Sequence, residues 1–397
     1  MLADPDADLE GALGDWRRFR RRKRLVDVHW VDAVYQAYLA ALLSGFVVLL
    51  AASAVGDVAV SPAGLGEVEA DGAAWVGVVA AALLGVGLRS GSRGGPLALE
   101  RAEVRHVLLS PVDRVYALRA PALRQLRFAT FVAASAGAAA GALADRRLPG
   151  TGPAWAACGA LFGVGAVALA YGAACVAAGV RLRPWLAAVL AIALVAWSVG
   201  DATGELPVAP LSALGHVALW PVTFEVAGLV PLLVAVVTVV VGLRLIAGLS
   251  LEALERRSSL VGELRFAATL QDLRTVVVLR RQLAQERPRG RPWLRPPLPP
   301  RFPVLVRDVR GVLRWPAGRF ARLLLLGAVA GLAARGAWDG TTPLLVVTAL
   351  ALFLAGLDAT EPIGQELDHP SRRDSVPVPA GWLYVRHLPA AVLIALV

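Results

Sequence analysis

Lysine and glycine are the first residues to consider for chemistry, because an ATP-hydrolysing chain cradles phosphate with a glycine-rich loop that ends in a lysine. The chain has a single lysine, Lys23, which lies inside an arginine cluster with no such loop around it. The sequence therefore predicts that this chain carries no ATP-binding site and is not itself an enzyme.

Metal-binding and cofactor-binding patterns are also scarce. No His-Glu-x-x-His or Cys-x-x-Cys motif occurs, so we expect no catalytic residue, metal site or cofactor. Cys158 and Cys175 share one apolar run, which favours two buried, unpaired thiols. The five histidines are far apart in the sequence: His29, His106, His216, His369 and His387.

Carboxylates in mid-span would indicate an ion-coupled transporter, because such proteins carry a proton or sodium on them. The first six apolar runs contain essentially none. Asp57, Glu225 and Asp358 lie at the edges of runs. This pattern disfavours a secondary transporter but leaves it open as an alternative.

The composition indicates that the main structural elements are membrane-spanning helices. Of the 397 residues, 57% are hydrophobic and 18% are charged, and the mean hydropathy is +0.62. This is more apolar surface than one soluble core can hide. We predict an all-α polytopic membrane protein with about eight to nine spans, near 33–55, 73–88, 128–144, 155–180, 185–199, 226–249, 323–338 and 342–357, with 388–397 beginning another.

The net charge of +10 comes from arginines beside the apolar runs, where they orient the chain and meet anionic lipid headgroups. Nucleic acid is therefore not an expected partner. The preference for arginine over lysine, with abundant Ala, Gly and Val, is typical of a GC-rich bacterium. We expect a multi-pass protein of the bacterial cell membrane, with its N-terminus in the cytoplasm.

Five segments follow from this topology. Residues 1–32 form a cytoplasmic region with a basic amphipathic lead, and residues 33–249 a first transmembrane half of about six spans. That half contains the arginine-rich cytoplasmic loop 89–127. Residues 250–303 are predicted to be a cytoplasmic amphipathic helix and a Pro/Arg-rich linker. Residues 304–397 begin a second half, which we expect to continue beyond Val397.

Two halves are suggested by a weak internal repeat. Pro96, Glu100 and Pro111 recur 266 positions later as Pro362, Glu366 and Pro377. Each set follows the second span of a predicted hairpin. We interpret this as two related six-span halves, the second incomplete.

Small residues predict where helices pack. Gly137 and Gly141 are four positions apart in one run, and Gly159 and Gly163 are four apart in the next. Residues at this spacing share a helix face and let a neighbouring backbone approach closely.

The loop 89–127 is the most informative segment. It holds an apolar strip bounded by Arg, Glu and Pro, which permits a short amphipathic helix at the membrane face. Pro96 and Pro111 would bound this helix, since proline restricts the residue before it and lacks a backbone donor. Glu100 and Arg105 would supply polar contacts to a partner. A surface helix with no partner is the alternative.

In these features the chain resembles the permeases of ABC-2-type exporters, especially those of actinobacteria. The lead from Trp16 to Trp30 looks like their connecting helix, and the segment from Gly200 to Glu225 stands where they have a re-entrant outer segment. The loop 89–127 looks like their coupling helix.

The resemblance implies a membrane permease subunit of an ATP-driven exporter, energised by a separate cytoplasmic ATPase. It also implies that Pro96, Glu100, Arg105, Pro111 and Arg114 form an ATPase-coupling loop. Membrane lipids are further partners, and both a homo-oligomer and a hetero-oligomer fit such a permease. An ion-coupled transporter, a membrane-embedded enzyme and a non-transporting integral scaffold stay open as competing classes.

Overall fold

The computed structural model describes residues 11–16, 18–19, 22, 38, 42, 45, 48–49, 52, 59–97, 99, 103–104, 107–108, 112–252, 254–255, 257–258, 290–294, 301–338, 344–368 and 379–395. These residues form helices and turns, with no strand among them. The all-α class predicted from the sequence is confirmed for this part of the chain. Two compact units are present, Met1–Gln271 and Asp272–Val397.

The helices of the first unit are α1 (Pro62–Gly91), α2 (Arg114–Ala144), α3 (Gly152–Gly179), α4 (Pro184–Ala202), α5 (Ser212–Leu219) and α6 (Leu229–Leu245). Short 3-10 helices at Val226–Gly228 and Ile246–Gly248 flank α6. The helices of the second unit are α7 (Pro303–Val312), α8 (Ala317–Trp338), α9 (Leu344–Ala359), α10 (Glu361–Asp368) and α11 (Ala380–Ala395).

Six helical segments of the described part are long and apolar enough to cross a bilayer, namely α1 to α4, Val226–Gly248 and α8. A seventh is added if α9 and the adjoining helix Glu361–Leu367, bent by 57°, form one span. These segments overlap six of the predicted spans, from 73–88 to 323–338. The run 33–55 lies largely outside the described residues, so the total of eight to nine stays a prediction.

Local sequence signals set where these helices begin. The hydroxyl of Ser61 accepts a hydrogen bond from the Gly64 amide at 3.2 Å, and Pro62 occupies the first turn of α1. The carboxylate of Asp113 accepts one from the Val115 amide at 2.9 Å and caps α2. Such side chains satisfy amides that have no partner within the helix. Prolines in the first turns of α3 and α4 lose nothing there, because those amides lack helical partners.

Glycine faces hold α2 against α3, as their spacing predicts. A Cβ atom at Gly137 would collide with the carbonyl oxygen of Gly159, and one at Gly159 with that of Gly137. Gly141 meets the Trp155 carbonyl in the same way, and Gly163 meets that of Ala133. The predicted close approach is confirmed. Because backbone faces backbone, no side chain can be added without separating the helices.

The two ends of the first unit's bundle carry opposite charge. We call the end that holds Gly91, residues 180–183 and Ile246–Gly248 the Arg89 end, and the opposite one the Asp201 end. Arginines outnumber acids at the Arg89 end: Arg89, Arg93, Arg114, Arg119, Arg181, Arg183, Arg244 and Arg257. Acids outnumber arginines at the Asp201 end: Glu67, Glu69, Asp71, Asp145, Asp201, Glu205 and Glu225.

The long connection between α4 and α6 folds back onto the bundle. The carboxylate of Asp201 accepts hydrogen bonds from the Ala209 amide, at 2.8 Å, and from the Ser212 hydroxyl. These contacts place α5 against α1 and α3, with the side chains of Leu214 and Val217 fully buried. The segment from Gly200 to Glu225 is therefore part of the packed bundle.

Two helices begin inside predicted connections. The connection after α1 is residues 92–113, and α2, capped by Asp113, begins at Arg114 within the predicted loop 89–127. In the second unit, α7 begins at Pro303, the last residue of the predicted linker. Sequence reasoning missed this helix because its 10 residues are too few to form a span.

Candidate functional site

The segment between α1 and α2, residues 92–113, contains most of the predicted coupling residues. Pro96 lies half-buried at a bend, and Arg114 is exposed in the first turn of α2. Glu100, Arg105 and Pro111 lie outside the described residues. The structure therefore places the two ends of the predicted site but does not test the contacts between them.

The apolar side chains of this segment face the protein interior. They form one buried cluster with the N-terminal helical residues and with the Arg89 ends of three spans. The segment contributes Leu97, Leu99, Val104, Val107 and Leu108, and its partners include Leu13, Leu118, Ala122, Ala178, Ile246, Leu249 and Leu254. Burial of this kind stabilises by about 25 cal/mol for each Å² of apolar surface. The apolar strip is thus covered by protein, while Arg93 and Arg114 beside it are exposed.

Arg257 fixes the start of the segment. Its guanidinium donates to the carbonyl oxygen of Gly95 and to the hydroxyl of Ser90, the latter at 3.3 Å. Gly95 has a φ of +88°, and a Cβ atom there would strike Leu249. Burial lowers the pKa of Arg257 from its ordinary value, since it disfavours the charged form. The sequence showed Arg257 only as one charge on an amphipathic helix.

In the second unit, the repeat counterpart Glu366 is buried in an ionic cluster. Arg307 donates to Glu366 Oε1 at 2.6 Å. The same guanidinium lies 3.4 Å from His387 Nε2, and the other ring nitrogen of His387 lies 2.5 Å from Asp308 Oδ2. A neutral His387 with its proton on Nδ1 fits both contacts, because Nε2 then accepts from Arg307 and Nδ1 donates to Asp308.

A second ionic group joins α8 to the bend between α9 and α10. Arg319 lies 3.7 Å from Asp358 Oδ1 and also contacts Glu361, while Arg322 pairs with Asp358. The Arg319 guanidinium stacks on the Trp315 ring at 3.7 Å. Arg319, Asp358 and Glu361 are all buried. A buried charge is tolerated when it is paired in this way.

The repeat counterparts therefore have different surroundings from the first set. Pro362 lies half-buried in α10, and Pro377 lies outside the described residues. The segment after α1 is held mainly by apolar packing, whereas the segment after α9 is held by ion pairs. The two-halves arrangement stays a prediction.

The contacts around these residues are apolar packing, hydrogen bonds and ion pairs. Among the described residues, no group of three or more His, Cys, Asp or Glu side chains could hold a metal ion. Of the two cysteines, Cys175 is buried and Cys158 half-buried.

The class that the fold defines is a multi-pass, all-α membrane protein. A comparison with models of protein families, with curated proteins and with solved structures finds no match for the chain.

Proposed function

We propose that this chain is the membrane permease subunit of an ABC-type exporter, energised by a separate cytoplasmic ATPase. One observation carries the proposal: the apolar strip of residues 92–113 is buried against the ends of several spans. A permease needs such a segment, because force applied by a partner must reach the spans.

The packing gives this segment the required connections. Leu118 and Ala122 belong to α2, Ala178 to α3 and Ile246 to the end of the last span of the unit. Close-packed interiors transmit displacement because they have few voids to absorb it. A helix that merely lay on the lipid surface would instead turn its apolar strip outward.

The charge distribution supports a cytoplasmic position for the Arg89 end. Arginine-rich connections stay on the cytoplasmic side of bacterial membranes, and the Asp201 end carries most of the acids. On this proposal, the N-terminus and residues 92–113 face the cytoplasm. Cysteines introduced at Arg93 and Glu69 test it: an impermeant maleimide added to intact cells should label position 69 and not position 93.

Coupling is tested with exposed residues beside the buried strip. Arg114 and Tyr116 are both exposed in the first turn of α2. We expect Arg114→Ala with Tyr116→Ala to lower permease-stimulated ATP hydrolysis and co-purification of the proposed ATPase partner. Losing a desolvated charge contact at an interface costs about 2–5 kcal/mol. Expression and thermal stability should stay at the wild-type level, since neither side chain is buried.

The matched control is Arg147→Ala, because Arg147 is exposed at the Asp201 end. It should leave ATP hydrolysis and co-purification unchanged. Wild-type stimulation by the double variant would contradict the coupling role of this surface. If no neighbouring gene encodes a nucleotide-binding ATPase, a non-transporting scaffold becomes the better explanation.

The ion-coupled alternative has one feature in its favour, the buried cluster around Asp308 and His387. The related pairs of Arg319 and Arg322 with Asp358 lie at the end of the α8–α9 hairpin, where they can hold helices together without carrying an ion. Uptake or efflux driven by a pH gradient in proteoliposomes that lack ATPase, and abolished by Asp308→Asn, would favour the alternative.

A further inference from the structure

We infer that the groove between α1 and α4 binds an anionic phospholipid, with an acyl chain along the groove and the phosphate at Arg89. The inference needs only the membrane-embedded fold and is independent of the proposed transport function. It rests on the shape of the groove, its apolar walls and the cation at its rim.

Small residues create the space. Gly85 and Ala191 form the floor, where a Cβ atom on Gly85 would lie 3.0 Å from the Cβ of Ala191. Two facing stripes at helical spacing then line the groove: Ala82, Gly85, Val86 and Arg89 on α1, and Ile192, Val195, Ala196 and Val199 on α4. Residues at i, i+3, i+4 and i+7 lie on one helix face, so both helices present a continuous apolar side.

The dimensions suit a lipid tail. The groove has a volume of about 700 Å³ and is open along one side. On α4 it extends at least from Ala191 to Gly200, which is about 14 Å at the rise of an α-helix. This length is close to one leaflet of a hydrocarbon core about 30 Å thick. The exposed fractions of Val86 and Ile192 are 66% and 69%, so the walls need a hydrophobic cover.

Charge decides the kind of lipid and its direction. Arg89 lines the groove at the Arg89 end, and its guanidinium has no ion-pair partner among the described residues. An arginine in this position binds a phosphate oxygen with charge-assisted hydrogen bonds. Glu205 lines the opposite end and would repel an anionic headgroup. The headgroup therefore lies at Arg89, in the leaflet at that end of the bundle.

A second copy of the chain fits the groove less well. Two copies with the same orientation in a membrane are related by an axis along the membrane normal, so each residue has its equivalent at the same depth. A self-contact through this groove would bring the two Arg89 side chains to the same level, where like charges repel. An anionic lipid neutralises the same cation.

The test is native mass spectrometry of the full 397-residue chain, titrated with dioleoyl phosphatidylglycerol or dioleoyl phosphatidylcholine. We expect the wild type to bind phosphatidylglycerol more tightly. Arg89→Gln should weaken that binding roughly three- to tenfold, as expected for loss of a charged hydrogen bond, and Arg89→Lys should restore most of it. Arg183→Gln is the charge control, because Arg183 is exposed at the same end outside the groove.

A second pair of variants tests the groove itself. Ala196→Leu should fill it and weaken lipid binding, while Ala193→Leu, on the same helix but outside the groove, should not. Both alanines are exposed, so the changes are compatible with folding. Equal affinity for the two lipids, or unchanged affinity in Arg89→Gln or Ala196→Leu, would overturn the inference. A dimer that Ala196→Leu dissociates, with no lipid retained by the wild type, would assign the groove to a second copy.

Discussion

The contact between α2 and α3 gives the sharpest prediction for stability. Adding one methyl group by Gly137→Ala places a Cβ atom against the Gly159 carbonyl oxygen, which is backbone and cannot rotate away. The helices must then retreat by on the order of 1 Å to restore an ordinary contact near 3.5 Å. Overpacking of this kind costs about 1–3 kcal/mol, while replacing glycine within a helix returns about 0.5–1 kcal/mol. We therefore expect net destabilisation of up to about 2 kcal/mol.

The matched control is Gly66→Ala in α1, because a Cβ atom at Gly66 meets nothing within 4 Å. This variant should be neutral or slightly stabilising. Gly66 and Gly137 both lie in helices of the first unit, so the two variants report on the stability of the same unit.

Thermal unfolding in detergent can be followed with a fluorogenic maleimide, since Cys175 in α3 is buried and reacts when the bundle opens. A loss of 1 kcal/mol lowers Tm by about 2–4 °C in a domain of roughly this size. Gly137→Ala should thus melt several degrees below both the wild type and Gly66→Ala. A Tm for Gly137→Ala at or above that of Gly66→Ala would refute the backbone contact.

Three further predictions follow from polar contacts. Asp201→Ala should speed hydrogen exchange in the turn after α4, because two hydrogen bonds to its carboxylate are lost, each contributing about 0.5–1.5 kcal/mol. Unchanged exchange would argue against a stabilising role for these two hydrogen bonds. Arg257→Ala should speed tryptic cleavage after the exposed Arg93, since the turn at the start of the segment loses its donor; cleavage at the wild-type rate would contradict that role. His387→Ala should reduce the monodisperse fraction on size exclusion, because the buried carboxylate of Asp308 keeps Arg307 but loses its hydrogen bond to His387, at a cost of about 1–3 kcal/mol, whereas Asp308→Leu with His387→Leu should recover most of it. Equal behaviour of the single and double variants would speak against the pairing.

Much of the fold could be predicted because the signals are local. Apolar runs long enough for a bilayer gave six helical segments that the structure confirms as long and apolar enough to cross it. The spacing of Gly137 with Gly141 and of Gly159 with Gly163 predicted close contact faces, which the structure confirms. Helix boundaries were less certain, because hydropathy marks the membrane core and not the polar turns beyond it. For this reason α2, with 31 residues, extends well outside the predicted run 128–144.

The candidate site could be located but not built from the sequence. Its apolar strip was visible, and its burial against the spans was not, because exposure depends on residues that lie far away in the chain. Arg257 contacts a carbonyl 162 positions earlier, and His387 pairs with a residue 79 positions earlier. No periodicity carries that information.

The sequence by itself determined that this chain is helical and membrane-embedded, where six of its apolar helices lie and which connections are basic. Those properties follow from the free-energy cost of placing charges and unpaired backbone groups in hydrocarbon. This cost depends on the composition of each segment and not on the neighbouring helices. Only the tertiary structure decided which glycine meets which carbonyl, that the strip of residues 92–113 is covered by protein, and that Arg89 stands at the rim of an apolar groove. These depend on packing between distant helices, where one methyl group or one rotation of a helix face changes the partner.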